Sequence, residues 1–346
     1  MDSSRKSKER IVTVRKSGAS IRDVAKETGL SIATVSRVMN GNTNVSKKTR
    51  EQVLDACARL DYLPNSAARA LSTSRSKTIA AIIPTIEHSV FAKFISAIEQ
   101  TLAKHGYSLV LAISNSDEEA ELKAARKLLG MGAEAFILSG ATHSEILMQT
   151  FARHDVPCVF TSVWDPTNPI ATIGYDNAKL AGDAVKYLAA KGHQKISVVH
   201  GPLSESDRTS ARKQGAELAG QGKTELQFIE TELSVAGGKA AVHKLLNTEF
   251  DRSAVLCFSD VLAMGVYFGL AEAEKSVPED LSVMGFDNLD WASETVPALT
   301  TIDLPAADMG RNAAEELLNS LETGIPLRHR HLSAEILERK SVRLKT

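Results

Sequence analysis

The chain has 346 residues, 43% hydrophobic and 24% charged, with a net charge of −1. This is the composition of an ordinary globular protein of two or three domains. No run approaches the ~18 apolar residues of a membrane span. The start, Met1-Asp2-Ser3-Ser4-Arg5-Lys6, lacks the apolar stretch of a secretion signal, so a cytoplasmic chain with no membrane partner is expected. Cys57, Cys158 and Cys257 lie far apart, with neither zinc-ligand nor disulfide spacing. The expectation is three buried thiols, no metal and no cofactor. Residues 1–75 carry 15 basic and 7 acidic side chains, a charge of +8, and leave 26 basic and 35 acidic, −9, on the remainder. A basic head on an acidic body predicts that the head alone meets a polyanion.

After a basic arm over 1–20, expected to be disordered, Ile21–Thr28 reads as a short helix. Ser20 caps it, Asp23 sits in its first turn, and Ile21, Val24 and Ala25 share one face. Gly29 breaks it where a positive φ is needed. Ser31 caps a second helix, Ile32–Met39, with Val35, Val38 and Met39 inward; Asn40-Gly41-Asn42 ends it. Ser46 caps a third, from Lys47 to about Leu60, with Val53, Leu54, Cys57 and Leu60 at helical spacing. Two short helices around a glycine turn make a helix-turn-helix.

The wording of this segment is more specific than its pattern. Asp23-Val24-Ala25, Ser31 through Gly41, Val45-Ser46, Thr49-Arg50 and Tyr62-Leu63-Pro64-Asn65 closely resemble the lactose-repressor (LacI/GalR) family. The resemblance runs from about Ile21 to about Pro326. It implies double-stranded operator DNA as a partner, read by the second helix from the major groove. Ile32, Ala33 and Arg37 take the base-reading positions: Arg37 can hold guanine O6 and N7, while Ile32 and Ala33 offer apolar contacts. Ser31, Thr34, Ser36 and Asn40 suit phosphate oxygens. Tyr62 is read as core, with a phosphate contact by its hydroxyl as the alternative.

Residues 64–76 follow as hinge and linker. Isolated helices of two turns are marginal in water, so the residues alone suggest a flexible Ala/Ser linker. The resemblance instead implies a hinge helix that pairs with its twin in a homodimer or tetramer. It places Asn65, Ala68 and Leu71 in the minor groove, with Leu71 as the wedge.

From Lys77 onward apolar runs (Ile79–Pro84, Leu109–Ile113, Ala135–Leu138, Cys158–Val163, Ile196–His200, Val255–Phe258, Leu281–Phe286) alternate with helical patterns (Phe91–His105, Glu118–Leu129, Ala178–Lys191, Ala236–Asn247). This alternation predicts parallel sheets covered by helices. The fold class is thus an all-α helix-turn-helix headpiece, residues 21–63, plus an α/β bilobed body over 77–346. The body resembles periplasmic binding proteins, with two doubly wound parallel sheets. Landmarks shared with the family recur in order: Gly174-Tyr175-Asp176-Asn177, Gly192-His193, Gly201-Pro202, Ser259-Asp260, Gly285-Phe286-Asp287 and Leu299-Thr300-Thr301. Crossings near Asp176, Asp303 and Arg328 give one lobe of about 77–176 with 303–328 and a second of about 177–302 with 329–346.

The resemblance places a small-molecule effector between the lobes. Arg212 and Asp287 match its polar clamp, Ser162 and Ser259 further polar contacts, and Phe91 and Leu233 apolar lining. An ion pair between Arg212 and Asp287, bridging the lobes, is the structural alternative. Asp207-Arg208 offers a second cation; with Thr142-His143 it resembles gluconate-responsive members, which points to a sugar acid among sugars and related metabolites. Pro84-Thr85-Ile86-Glu87 and Glu134-Ala135-Phe136 depart from the family pattern. His88, His143, His193 and His200 show no metal spacing, and no nucleophile-elbow or phosphate-loop motif stands in context. No catalytic residue is therefore expected, and a secreted solute-binding protein is disfavoured by the headpiece. The sequence predicts a transcriptional regulator, a repressor controlled by its effector.

Overall fold

A computed structural model describes residues 19–40, 44–63, 75–86, 89–247 and 251–345. Most of the basic arm and of the hinge, including Asn65, Ala68 and Leu71, lie outside the described residues. Two compact units divide at Ser76 and Lys77.

The first unit holds helices α1 (Ile21–Thr28), α2 (Ile32–Met39) and α3 (Lys47–Arg59). Ser20 donates from both its backbone N–H (2.8 Å) and its hydroxyl (2.7 Å) to Asp23 Oδ2, fixing the first turn. Gly29 takes φ +68, and the following Leu30 N–H reaches back to Ala25 O at 3.1 Å. Ser31 and Ser46 each accept the backbone N–H three residues on, as N-caps do. Val24, Ala25, Val35, Val38, Val53, Ala56 and Cys57 form the core, with Tyr62 packed against it. Leu54 departs from the expected pattern: it is 49% exposed, and Ala56, one residue off the anticipated stripe, takes the inner place. Gln52 donates to Thr28 O at 2.9 Å and Arg59 to Glu27, tying α3 to α1.

The body carries two parallel sheets. The first combines β1 (Thr78–Ile83), β2 (Ser108–Ile113), β3 (Ala135–Ser139), β4 (Cys158–Thr161), β5 (Thr172–Gly174) and β11 (Arg330–His331), in the order β11-β5-β4-β3-β1-β2. The second combines β6 (Lys195–His200), β7 (Glu225–Glu230), β8 (Ala254–Cys257) and β9 (Ser282–Met284), in the order β7-β6-β8-β9. Helices α4 (Ser89–Lys104), α5 (Glu118–Gly130), α6 (Glu145–Arg153) and α11 (Ala306–Thr323) belong to the first lobe. Helices α7 (Asn177–Ala190), α8 (Asp207–Gly220), α9 (Val235–Leu246) and α10 (Asp260–Glu272) belong to the second. Central strands are buried end to end, Ile79–Ile83 and Ala254–Cys257 for example, because helices cover both faces of a parallel sheet.

Between the lobes run β10 (Thr301–Asp303) and β12 (Glu335–Leu337), an antiparallel pair. Arg330 and His331 pair with Ile173 and Gly174, so they belong to the first lobe's sheet. The last crossing therefore follows residue 331 and runs along β12, later than the boundary read at 328, because β12 pairs with the crossing strand β10. The chain end then closes on the second lobe: the Ser341 hydroxyl donates to Val283 O, and His193 bridges Ser253 Oγ (2.9 Å) and Arg343 O (3.0 Å). Cys57, Cys158 and Cys257 are free and buried. No helix among the described residues is long and apolar enough to cross a membrane.

Candidate functional site

On the headpiece, the core-facing side of α2 is set by Val35 and Val38, which leaves Ile32, Ala33 and Arg37 on the exposed side. Ile32 is 46% exposed. Among the described residues Arg37 has no hydrogen-bond or ion-pair partner, so its five donors face outward. Ser31 Oγ lies 2.9 Å from Thr34 Oγ1, and Asn40 Nδ2 donates to Ser36 Oγ at 3.5 Å. The four side chains thus pair two by two along α2.

In the body, loops at the carboxyl ends of the strands from both lobes enclose a cavity of about 450 Å³. This is where open α/β sheets hold ligands, and the volume suits a small molecule. Phe91, Ser162, Arg212, Leu233, Ser259 and Asp287 all line it, joined by Tyr175, Arg208, Phe258 and Met309. Phe91 comes from α4 and Ser162 from the end of β4; the other four come from the second lobe. The run expected through Val163 stops at Thr161 because Ser162 turns to φ +66, with its N–H directed at Met309 Sδ, 3.0 Å away.

Arg212 is only 8% exposed. Its Nε donates to Asn177 Oδ1 (2.9 Å), its Nη1 to Phe258 O (2.6 Å), and the guanidinium lies 3.8 Å from the centroid of the Phe286 ring. Burial lowers its pKa, yet an arginine so far from neutrality remains a cation. Asp287 accepts from Ser259 Oγ at 2.8 Å. Desolvation raises its pKa to about 7, opposed by the attraction of Arg212 and reinforced by the neighbouring Asp260. Among the described residues no ion pair joins Arg212 to Asp287, and both stand on the second lobe. The structure thus gives no support to an inter-lobe bridge between them. Asp287 holds φ +127 and Ser162 φ +66, backbone conformations that cost energy outside glycine and cluster at functional sites.

Asn177 is a site residue that sequence reasoning passed over. Buried at the start of α7, it donates to Ser162 O in the first lobe (2.8 Å) and accepts from Arg212 in the second. It lies within the Gly174–Asn177 landmark, whose pattern carries no hint of that chemistry.

A second inter-lobe cavity, also about 450 Å³, adjoins the first and shares Pro84, Ser116, Glu205, Ser206 and Arg208 with it. It reaches the buried pair His143–Glu121, whose Nδ1 lies 3.0 Å from both carboxylate oxygens. Groups of three or more His, Cys, Asp or Glu able to hold a metal are absent among the described residues.

Two family models match the chain: bacterial regulatory proteins of the lacI family over residues 20–65, and periplasmic binding proteins and sugar binding domain of the LacI family over residues 76–335. Catabolite control protein A of Priestia megaterium is 32% identical over 294 residues, covering 84% of this chain and 89% of that protein. The ribose operon repressor of Escherichia coli K12 is 31% identical, covering 88% and 93%. The lac repressor dimer, solved with operator and the anti-inducer ONPF, superposes with a TM-score of 0.85 at 28% identity, over 94% of this chain and 99% of that one.

Proposed function

The chain belongs to the LacI family of transcriptional repressors, regulators and not enzymes, and from that premise we propose that it binds a palindromic operator as a homodimer under control of a small effector held between its lobes. In this reading residues 21–63 read DNA, 64–76 form the hinge, and 77–346 sense the effector and dimerise. Ile32, Ala33 and Arg37 contact bases; Ser31, Thr34, Ser36 and Asn40 contact phosphates; Asn65, Ala68 and Leu71 enter the minor groove.

The cleft carries the proposal. A buried cation, a strained carboxylate and two hydroxyls converge with apolar walls in a space the size of a sugar or sugar acid. A carboxylate accepts from ring hydroxyls and a guanidinium donates to hydroxyl or carboxylate oxygens. Arg212, Asp287, Ser162 and Ser259 hold the polar atoms of the effector, and Phe91 and Leu233 its carbon skeleton. The relative that represses a ribose operon, and the match to the sugar binding domain of the LacI family, support a carbohydrate-type ligand.

The test has two steps. Selection from a random duplex library with the full chain yields the bound sequence, and thermal-shift screening against sugars and sugar acids yields the effector, since a ligand of the folded state raises Tm. The expected result is a two-fold symmetric site with half-sites about one helical turn apart, whose affinity changes when the effector is added. A short asymmetric site, or an affinity indifferent to every ligand that raises Tm, overturns the proposal.

A further inference from the structure

The Asp207 carboxylate reaches across the cleft, more sheltered than the exposed Lys93–Asp290 ion pair that also joins the lobes. Asp207 begins α8 on the second lobe, yet its Oδ2 accepts the backbone N–H of Ala141 at 2.7 Å and of Thr142 at 3.2 Å, both in the loop after β3 of the first lobe. Its other oxygen, Oδ1, accepts from Arg208 Nη1 at 3.0 Å and from the Arg208 backbone N–H at 2.8 Å. The Asp207 and Arg208 side chains are 22% and 14% exposed, so the arrangement is sheltered from bulk water. The first-lobe loop is shaped to receive it. Gly140 has φ +93, and a Cβ there would collide with Arg208 Nη1 and lie 2.9–3.0 Å from the Asp207 carboxylate oxygens. Arg208 lines both inter-lobe cavities. It also stands one helical turn before Arg212, on the same face of α8.

We propose that Asp207 is the latch of the cleft: it holds the lobes closed through the Ala141 and Thr142 amides and, in the same act, positions Arg208 at the wall of the effector cavity. The physical case rests on the two halves of one carboxylate. Hydrogen bonds to an ionised acceptor are stronger than those between neutral groups, and these are sheltered. When the lobes part, Oδ2 loses the two amides and the Thr142 hydroxyl, which also donates to it at 3.5 Å, while Oδ1 keeps Arg208. Opening therefore removes the first lobe from the latch and leaves Arg208 tethered only to its own helix. Closure returns the loop, and the bare backbone at Gly140 lets it seat against the Arg208–Asp207 pair. Asp207 thus acts through other groups and is a positioning residue. Its role for Arg208 rests on the cleft being an effector site; the latch itself does not.

The latch can be tested on the full chain without ligand. Hydrogen exchange in the segment around residues 140–144 reads the two amides, and spin labels at Lys127 and Glu217, exposed positions on the two lobes, read closure. In Asp207→Ala the Ala141 and Thr142 amides should exchange at least tenfold faster and the label distance should lengthen. Asp207→Asn, which keeps one acceptor oxygen on that side chain, should fall between Asp207→Ala and the parent, and carries the test if the alanine variant fails to fold. Unchanged exchange and distance in both variants overturn the latch. Faster exchange with an unchanged distance overturns it too, because Asp207 would then only order a loop. Since no effector enters these measurements, failure to find one bears on the proposed function and not on the latch.

Discussion

Asp287→Asn tests the electrostatics of the cleft without knowledge of the ligand. In the folded chain burial raises the Asp287 pKa to about 7, while an unfolded aspartate titrates near 3.8. The folded state therefore keeps a proton that the unfolded state has released throughout that interval. By linkage, the stability from this group is present below about pH 4 and is lost as pH rises to 7, at ~1.4 kcal/mol per pH unit. The full interval corresponds to an upper bound of ~4 kcal/mol, because one side of Asp287 faces the cavity and stays partly solvated. Asparagine has the shape of aspartate and retains an acceptor for Ser259, but it has no proton to lose. Urea unfolding of both proteins from pH 4.5 to 8, followed by Trp164 and Trp291 fluorescence, should give the smallest difference at the acid end and a variant increasingly more stable up to about pH 7, level above it. Curves that stay parallel would mean that Asp287 is already ionised in the fold, held by Arg212, and would refute the desolvation argument. The same proton bears on binding. An effector that donates hydroxyls to the carboxylate favours its charged form, so at neutral pH binding should release protons, and calorimetry in buffers of different ionisation enthalpy measures them.

Arg37→Ala should cost ~1–3 kcal/mol on the selected operator and relax one base preference; a uniform loss over all sequences would mean that Arg37 touches only phosphate. Leu71→Ala should weaken specific binding and reduce DNA bending while leaving effector affinity intact, measured by gel-shift phasing and calorimetry. Arg212→Lys should fold yet bind the effector at least tenfold more weakly, because an ammonium cannot serve Asn177, Phe258 and a ligand in one plane; full affinity by calorimetry would remove Arg212 from the site. Asp23→Ala removes the acceptor of the two hydrogen bonds that Ser20 donates and should lower headpiece stability by ~1 kcal/mol, read by thermal unfolding of the full chain.

The legible parts of the body were the strands that bury on both faces, since an unbroken apolar run such as Ile79–Ile83 needs no period to announce it. Glu225–Glu230, at a sheet edge with mixed polarity, and the three-residue β5 gave no such run and were missed. So was α8. Its buried residues are Arg212, Gly215, Ala216 and Gly220, so it packs through small side chains and has no apolar stripe. Gly215 is required there, as a Cβ would strike the Ala178 carbonyl of α7. At the site, resemblance supplied six of the residues that line the cavity. Physical reasoning from sequence could not supply Asn177 or the turn at Ser162, because each is defined by partners more than a dozen residues away or on the other lobe.

Asn177 also explains how one small site can be felt by both lobes. It sits where the chain first passes from the β5 lobe to α7, and its amide is engaged in opposite directions: Nδ2 to Ser162 O, Oδ1 from Arg212 Nε. Arg212 in turn fixes the Phe258 carbonyl at the end of β8, and the adjacent Ser259 is bound to Asp287. A ligand that draws on Arg212 therefore acts on a buried chain of hydrogen bonds whose other end is the strained Ser162 turn of the first lobe. Burial makes any broken member of that chain expensive, at ~1–3 kcal/mol for each unsatisfied group. That is the same range as the coupling free energies of allosteric proteins. The network has the magnitude to carry a signal because Asn177 and most of Arg212 are buried.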